Sequence, residues 1–232
     1  MTPPLHVIDA GLVPYDEALA WQRRLAEERI ADRSAPDVLL LVEHPHVVTL
    51  GRGSHNAHLL NSNGIDVVEV ERGGDVTYHG PGQLVGYPII DLTQHRADLH
   101  WYLRSLERAL IAPLAELGID AGVNPPYTGV WTNGRKIASI GVHVKRWVTW
   151  HGFALNVTTD LAQFERIVPC GIAGVEMTSV ERELGARNAE RGTRNGNEHL
   201  WNRSLDAVVR GFERTFGLEA RVESVAPYSF AP

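Results

Sequence analysis

The way the apolar runs are punctuated constrains the fold more than any other feature of this sequence. Asn133-Gly134 separates two strand-like runs, Gly129 to Thr132 and Arg135 to Val144. Both central positions of a type I′ turn need positive φ, which Asn-Gly supplies at low cost, so the spacing predicts a hairpin. A further run from about Thr149 to Val157 continues the group. Upstream, Asp37 to Val42 and Val47 to Gly51 are short apolar runs split by Pro45, and Asp66 to Glu71 alternates weakly. Helical signals are fewer. Ala18, Trp21 and Leu25 share one face of a helix from Pro14 to Arg33. Leu99, Leu103, Leu106, Leu110, Leu114 and Leu117 mark a second from Asp98 to Leu117, which Pro113 should kink or restart. Leu200 to Phe216 forms a late amphipathic helix. Hairpin-like groups broken by a few helices imply an α+β (α/β) domain around a mixed, largely antiparallel sheet, not a doubly wound parallel one.

Nothing but burial can hold such a fold together here. Cys170 is the single cysteine, which excludes an intrachain disulfide and a cysteine-based zinc cluster. A chain of 232 residues, 44% of them hydrophobic, buries enough core without staples, as one domain over residues 1–232. The net charge of 22 − 28 = −6 makes non-specific nucleic-acid binding a poor fit. No apolar run reaches membrane-span length and MTPPLHVIDA lacks signal-peptide character, so a cytoplasmic protein with no membrane partner is expected. The polar stretch 188–197 reads as a surface loop. The basic residues divide into 20 arginines and two lysines, Lys136 and Lys145. Arginine can replace a lysine that supplies only charge, but not one that must give up its proton.

No Walker loop, GxSxG elbow, HExxH helix or dinucleotide fingerprint is present. Three other segments carry candidate chemistry. RGGDVTYHGPGQ, residues 72–83, packs four glycines among Arg72, Asp75, Tyr78 and His79. Glycines let backbone approach a ligand, and Arg72 and His79 suit a polar head group; a plain turn between strands is the competing account. In GVWTNGRKIASIGVHVKRWVTWHGFA, residues 129–154, Lys136 enters a strand beside Ile137 and Ile140. Such a lysine is ordinarily a solvated edge residue; pointed into a pocket it becomes a proton acceptor. His151 fits a satisfied structural histidine equally well. In IVPCGIAG, residues 167–174, Cys170 sits between Pro169 and Gly171. A free cysteine is most often a small buried hydrophobe, whereas a Pro-Cys-Gly loop suits a reactive one whose flanking backbone N–H groups serve an oxyanion. An ordinary thiol is mostly protonated at neutral pH, so it needs an activating lysine or histidine.

At these segments the chain resembles the lipoyl/octanoyl transferase family, the octanoyl-[acyl-carrier-protein]:protein N-octanoyltransferases. RGGDVTYHGPGQLVGYPIIDL (72–92), GRKIASIGVHV (134–144), HGFALNV (151–157) and VPCGI (168–172) match in order and spacing, within a family-like region of about residues 5–218. The resemblance implies the catalytic-domain fold of biotin and lipoate protein ligases. It also implies transfer of an octanoyl group from octanoyl-acyl carrier protein to a lysine of a lipoyl domain, the first step of endogenous lipoate synthesis. The acceptors would be lipoyl domains of 2-oxoacid dehydrogenase complexes and the glycine cleavage H protein. Cys170 would carry the acyl thioester and Lys136 would activate it. The substrate would be held by Arg72, Gly73, Gly74, Asp75, Val76, Thr77, Tyr78 and His79, by Ser139, Ile140 and Gly141, and by Gly152, Phe153 and Ala154, with His151 in support.

Thioester exchange is nearly balanced and amide formation from a thioester runs downhill, so the expected chemistry calls for no cofactor and no metal. Three rivals stay open. An ATP-dependent lipoate or biotin ligase of the same fold would need no cysteine nucleophile. A cysteine hydrolase would pair Cys170 with His79 or His151. In a non-catalytic binding module Cys170 would simply be buried. Arg135, Lys145 and Arg146 flank the segment in sequence and form a candidate basic patch for acidic protein partners.

Overall fold

The computed structural model describes residues 3–62, 64–185 and 194–224. In chain order the elements are β1 (Pro4–Leu12), α1 (Tyr15–Ala31), β2 (Asp37–Glu43), β3 (Val47–Leu50), β4 (Asp66–Glu69), β5 (Thr77–His79), β6 (Gln83–Ile89), α2 (Leu99–Glu116), β7 (Gly122–Asn124), β8 (Tyr127–Thr132), β9 (Arg135–Lys145), β10 (Val148–Asn156), α3 (Val180–Leu184), α4 (Arg194–Phe216) and β11 (Glu219–Ser224). Eight strands form one sheet in the order β11-β1-β2-β6-β10-β9-β8-β7. β1 runs parallel to β11 and β2, and every other contact is antiparallel. A second sheet, β4-β3-β5, holds three strands. The sheet is therefore mixed and largely antiparallel, as the punctuation predicts.

Alternation along the central strands gives each face its own layer. Leu5, Val7, Leu39, Leu41, Leu84 and Leu155 join the leucine face of α2 and Val208, Val209 and Phe212 of α4 in the larger core. Leu40, Val42, Val85, Tyr87 and Ala154 cluster with Ala18 and Ala26 of α1 on the other side. The small sheet lies beside α1, where Val47 and Val70 pack on Tyr15 and Leu19. The space between the small sheet and the main one is where the candidate site forms.

The Asn133-Gly134 turn joins β8 to β9, with φ of 49° and 76° and Thr132 opposite Arg135. Pro113 does not restart α2, which runs on to Glu116. The reason lies in α4. Proline leaves the Ala109 carbonyl without its helical donor, and at Gly211 the α4 backbone closes on that turn. A Cβ at Gly211 would stand 2.2 Å from the Ala109 oxygen and 2.6 Å from Pro113 Cγ. The polar stretch 188–197 lies outside the described residues up to 193. Its last four residues open α4 instead of forming a loop.

Candidate active site

A β-bulge places the lysine. Val130 of β8 faces Ala138 of β9, but Trp131 faces Lys136, leaving Ile137 as the extra residue. In a regular strand residues 136 and 139 would point to opposite faces, and the bulge turns them to the same side. Lys136 Nζ donates to Cys170 Sγ at 3.2 Å, and Ser139 Oγ lies 3.8 Å from the same sulfur. The lysine is only 1% exposed. Its Nζ lies 5.5 Å from the centroid of the Trp131 ring. Gly129, at φ +135°, leaves room for the stem, since a Cβ there would stand 2.7 Å from Lys136 Cε. The segment 176–178 closes over the strand, with Lys136 N–H donating to Glu176 O and Thr178 N–H to Lys136 O.

Cys170 sits in a single helical turn, Pro169–Gly171, at φ 58° and ψ 19°. A non-glycine residue holds this left-handed conformation only when its surroundings fix it. They do so here. Cys170 N–H donates to Val76 O at 3.0 Å, Gly171 N–H to Val168 O and Ile172 N–H to Pro169 O. The expectation that these amides are free for an oxyanion is therefore corrected: all three are already satisfied. Gly171 is required by a close approach, because a Cβ there would stand 2.4 Å from Asp75 Oδ2. That oxygen lies 2.6 Å from His58 Nδ1, and Asp75 Oδ1 accepts from Val76 N–H. Val168 N–H donates to the His58 carbonyl, so His58 ties the glycine-rich segment to the cysteine loop. No motif surrounds His58, and sequence reasoning missed it.

Cys170 and Lys136 open onto a cavity of about 290 Å³. Among the sequence-predicted residues, Arg72, Gly74, Asp75, Thr77, His79, Ser139, Ile140, Gly141, His151, Gly152, Phe153 and Ala154 line it. Gly73, Val76 and Tyr78 do not. Gly73 N–H bonds Val142 O of β9, and Val76 and Tyr78 alternate away from Thr77 and His79 into the cluster around Phe164. Tyr15, Val85, Tyr87, Pro126, Tyr127, Thr128 and Ile172 also line the cavity and were missed, Val85 and Tyr87 despite lying inside the 72–92 block and Ile172 inside VPCGI.

Arg72 does not present its guanidinium terminus to a head group. Nη1 bonds the carbonyls of Gly73 and Asp75, and Nη2 bonds Thr49 O and Oγ1. It shapes the glycine-rich segment against β9, where a Cβ on Gly141 would stand 2.9 Å from Gly73 O. His79 Nδ1 pairs with Gln83 Oε1 at 2.8 Å, and burial holds its imidazole well below the usual histidine range. Burial also lowers His151, although Glu71 opposes the shift. His151, and then Arg23 and Trp150, hold the Glu71 carboxyl far below the usual range against the effect of burial.

The side-chain partners of Cys170 Sγ among the described residues are thus Lys136 and Ser139, and no histidine bonds the sulfur, which counts against the His-driven hydrolase. Of the proposed basic patch, Arg135 is committed to Glu183 at 2.8 Å. Lys145 lies six residues along β9 from Ser139, about 20 Å at strand rise.

The lipoyl protein ligase A/B catalytic domain model matches residues 14–192. The octanoyltransferase of Gloeobacter violaceus is 59% identical over 167 residues, covering 72% of this chain and 75% of that one. The octanoyltransferase of a Nostoc species is 47% identical over 212 residues, covering 90% of each. Among solved structures, lipoate-protein ligase A bound with ATP aligns over 97% of this chain and 90% of that one, with TM-score 0.73 at 18% identity. P. falciparum LipL1 in complex with lipoate aligns over 95% of this chain and 66% of that one, with TM-score 0.65 at 12% identity. These neighbours share the fold, and the family match spans residues 14–192, taking in the glycine-rich segment, Lys136 and Cys170: the chain belongs to the lipoyl protein ligase A/B catalytic-domain family.

Proposed function

We infer that the chain is an octanoyltransferase that moves an octanoyl group from octanoyl-acyl carrier protein to a lysine of a lipoyl domain through a thioester on Cys170. The single observation that carries the covalent reading is the 3.2 Å contact between Lys136 Nζ and Cys170 Sγ at the wall of a largely apolar cavity. The octanoyl group is drawn from the relatives' activity. The acceptors are lipoyl domains of 2-oxoacid dehydrogenase complexes and the glycine cleavage H protein, all of them cytoplasmic encounters. Residues 1–232 act as one catalytic domain.

The cycle balances on one proton. The Cys170 thiol proton passes to Lys136 Nζ, and the thiolate attacks the thioester carbonyl of the donor. The carrier thiolate leaves and takes the proton from Lys136, which is now a neutral amine. The acceptor lysine attacks the Cys170 thioester, its excess proton moves to Lys136, and the Cys170 thiolate departs. Ser139 Oγ, 3.8 Å from the sulfur, offers a hydroxyl to the developing oxyanion. Burying the acyl chain contributes about 0.8 kcal/mol per methylene, which favours medium chains over short ones.

Intact mass after mixing with octanoyl-acyl carrier protein tests this reading. A hydroxylamine-labile octanoyl increment is expected, with no requirement for ATP, and Cys170→Ser should abolish loading and transfer. Full transfer by that variant would overturn the covalent mechanism. Strict ATP dependence with free octanoate would favour the ligase alternative.

A further inference from the structure

The two ends of the cavity differ in chemistry, and strand register fixes which end is which. Ser139, beside Cys170, pairs with Ala154, which pairs with Val85. Of these, Ala154 and Val85 give the cavity wall beside Cys170 an apolar stretch. Three residues further along β9, Val142 pairs with His151, about 10 Å away at strand rise. That distance is close to the reach of an extended eight-carbon acyl chain anchored on the sulfur. Around His151 the wall turns polar, with Arg72, His79, Tyr87 and Tyr15.

At this far end three buried polar atoms have no hydrogen-bond partner, His151 Nδ1, His151 Nε2 and Arg72 Nε. His151 is 1% exposed, and neither ring nitrogen has a partner within hydrogen-bonding distance. The nearest opposite charge to the imidazole, Glu71 Oε2, stands 3.7 Å from Nε2. Glu71 is already engaged by Arg23 and by Trp150 Nε1. His151 is also held in place, because its backbone sits at φ 54° and its N–H donates to Gln22 Oε1. A rigid, buried group with open hydrogen-bonding positions facing a cavity is built for a polar occupant, and methylenes cannot satisfy it.

We propose that the His151 end of the cavity is a polar subsite that terminates the acyl chain and takes a hydrogen-bonding group, either an ordered water beyond an octanoyl methyl or a hydroxyl on the chain's ω carbon. The proposal rests on the reading of the cavity as the acyl site. It makes the enzyme permissive toward ω-hydroxylated medium-chain acyl groups. It also makes the enzyme intolerant of longer saturated chains, whose extra methylenes would displace the water and leave His151 unpaired.

Loading of Cys170 from carrier protein charged with six-, eight-, ten- or twelve-carbon chains, or with an ω-hydroxyoctanoyl group, tests this in wild type, H151L and H151N. Wild type should load octanoyl and ω-hydroxyoctanoyl within about tenfold of each other and the twelve-carbon chain at least about tenfold more slowly, the ratio one buried hydrogen bond commands. H151L should gain about tenfold on longer chains and lose the ω-hydroxy substrate by a similar factor. H151N keeps a polar group and tolerates the left-handed backbone, so it should retain the wild-type profile. A folded H151L with an unchanged profile overturns the subsite. If H151L does not fold, rejection of ω-hydroxyoctanoyl by wild type well beyond tenfold overturns it alone. Failure of wild type to load any acyl group defeats the functional reading instead.

Discussion

Lys136 and Cys170 share one proton through two half-reactions, and the two make different demands on the lysine. Stabilising a thiolate needs only a positive charge 3.2 Å away. Accepting a proton from the incoming amine needs a base, and a guanidinium, with pKa above ~12, cannot serve. Lys136→Arg should therefore keep part of its rate of thioester formation and lose amide transfer by about 10²–10⁴-fold, the usual cost of removing a general base. Lys136→Ala should lose both. Rapid-quench measurement of the two half-reactions separates these outcomes, and equal, mild losses in Lys136→Arg would show that charge alone suffices. The arginine-rich composition sharpens the test, since 20 of the 22 basic residues are already arginine.

Between elements, the contact of α2 with α4 turns on a single glycine. Replacing a mid-helix glycine by alanine ordinarily stabilises by about 0.5–1 kcal/mol. At Gly211 the new methyl would meet the Ala109 carbonyl at 2.2 Å, and backbone cannot swing aside as a flexible side chain can. Gly211→Ala should therefore reverse the sign and destabilise by about 1–3 kcal/mol, the range for overpacking. Urea titration of the variant decides it, and a gain in stability would mean that the helices do not meet there. The site itself lies on the opposite face of the sheet, so residual activity at low temperature should survive. The bulge at Ile137 does the corresponding work for the site: it costs one regular ladder position and brings Lys136 and Ser139 to one sulfur.

For the molecule as a whole, buried histidines set an acid limit on stability. Burial brings His44 down to about 4 from 6.5, with the Val13 carbonyl opposing, and burial lowers His79 and His151 too. The unfolded chain protonates these rings near pH 6.5 and the folded chain does not. Between pH 6.5 and 4 the unfolded state thus binds more protons, and stability falls as pH falls. His44 alone accounts for a loss of about 3 kcal/mol across that window. Below it, the depressed carboxyls of Glu71 and Glu183 must also be protonated, and the loss continues. Urea unfolding at stepped pH should show the free energy dropping from pH 7 to pH 5. A flat profile over that range would mean that the three rings are protonated in the folded protein.

The elements that sequence alone determined are those whose own chemistry demands their conformation. Asn133-Gly134 needed no tertiary help to turn with both φ positive, and the leucine spacing of α2 required a buried face. β11 was illegible because most of its side chains stay exposed and only backbone pairing with β1 makes it a strand. β5 and β6 were hidden inside a segment whose glycines dominated its reading. At the site, the ordered motifs named Cys170 and Lys136, whereas the tertiary structure alone decided that they meet. A strand's period of two would have sent Lys136 and Ser139 apart, and only the partner strand's register creates the bulge that aligns them. Tertiary structure also set the role of Arg72, which braces backbone, and brought in His58, an isolated histidine that matters because Asp75 and the cysteine loop fold against it. Local chemistry is written residue by residue, but register, bulges and the convergence of distant loops depend on which surfaces find each other, and that is decided only when the whole core packs.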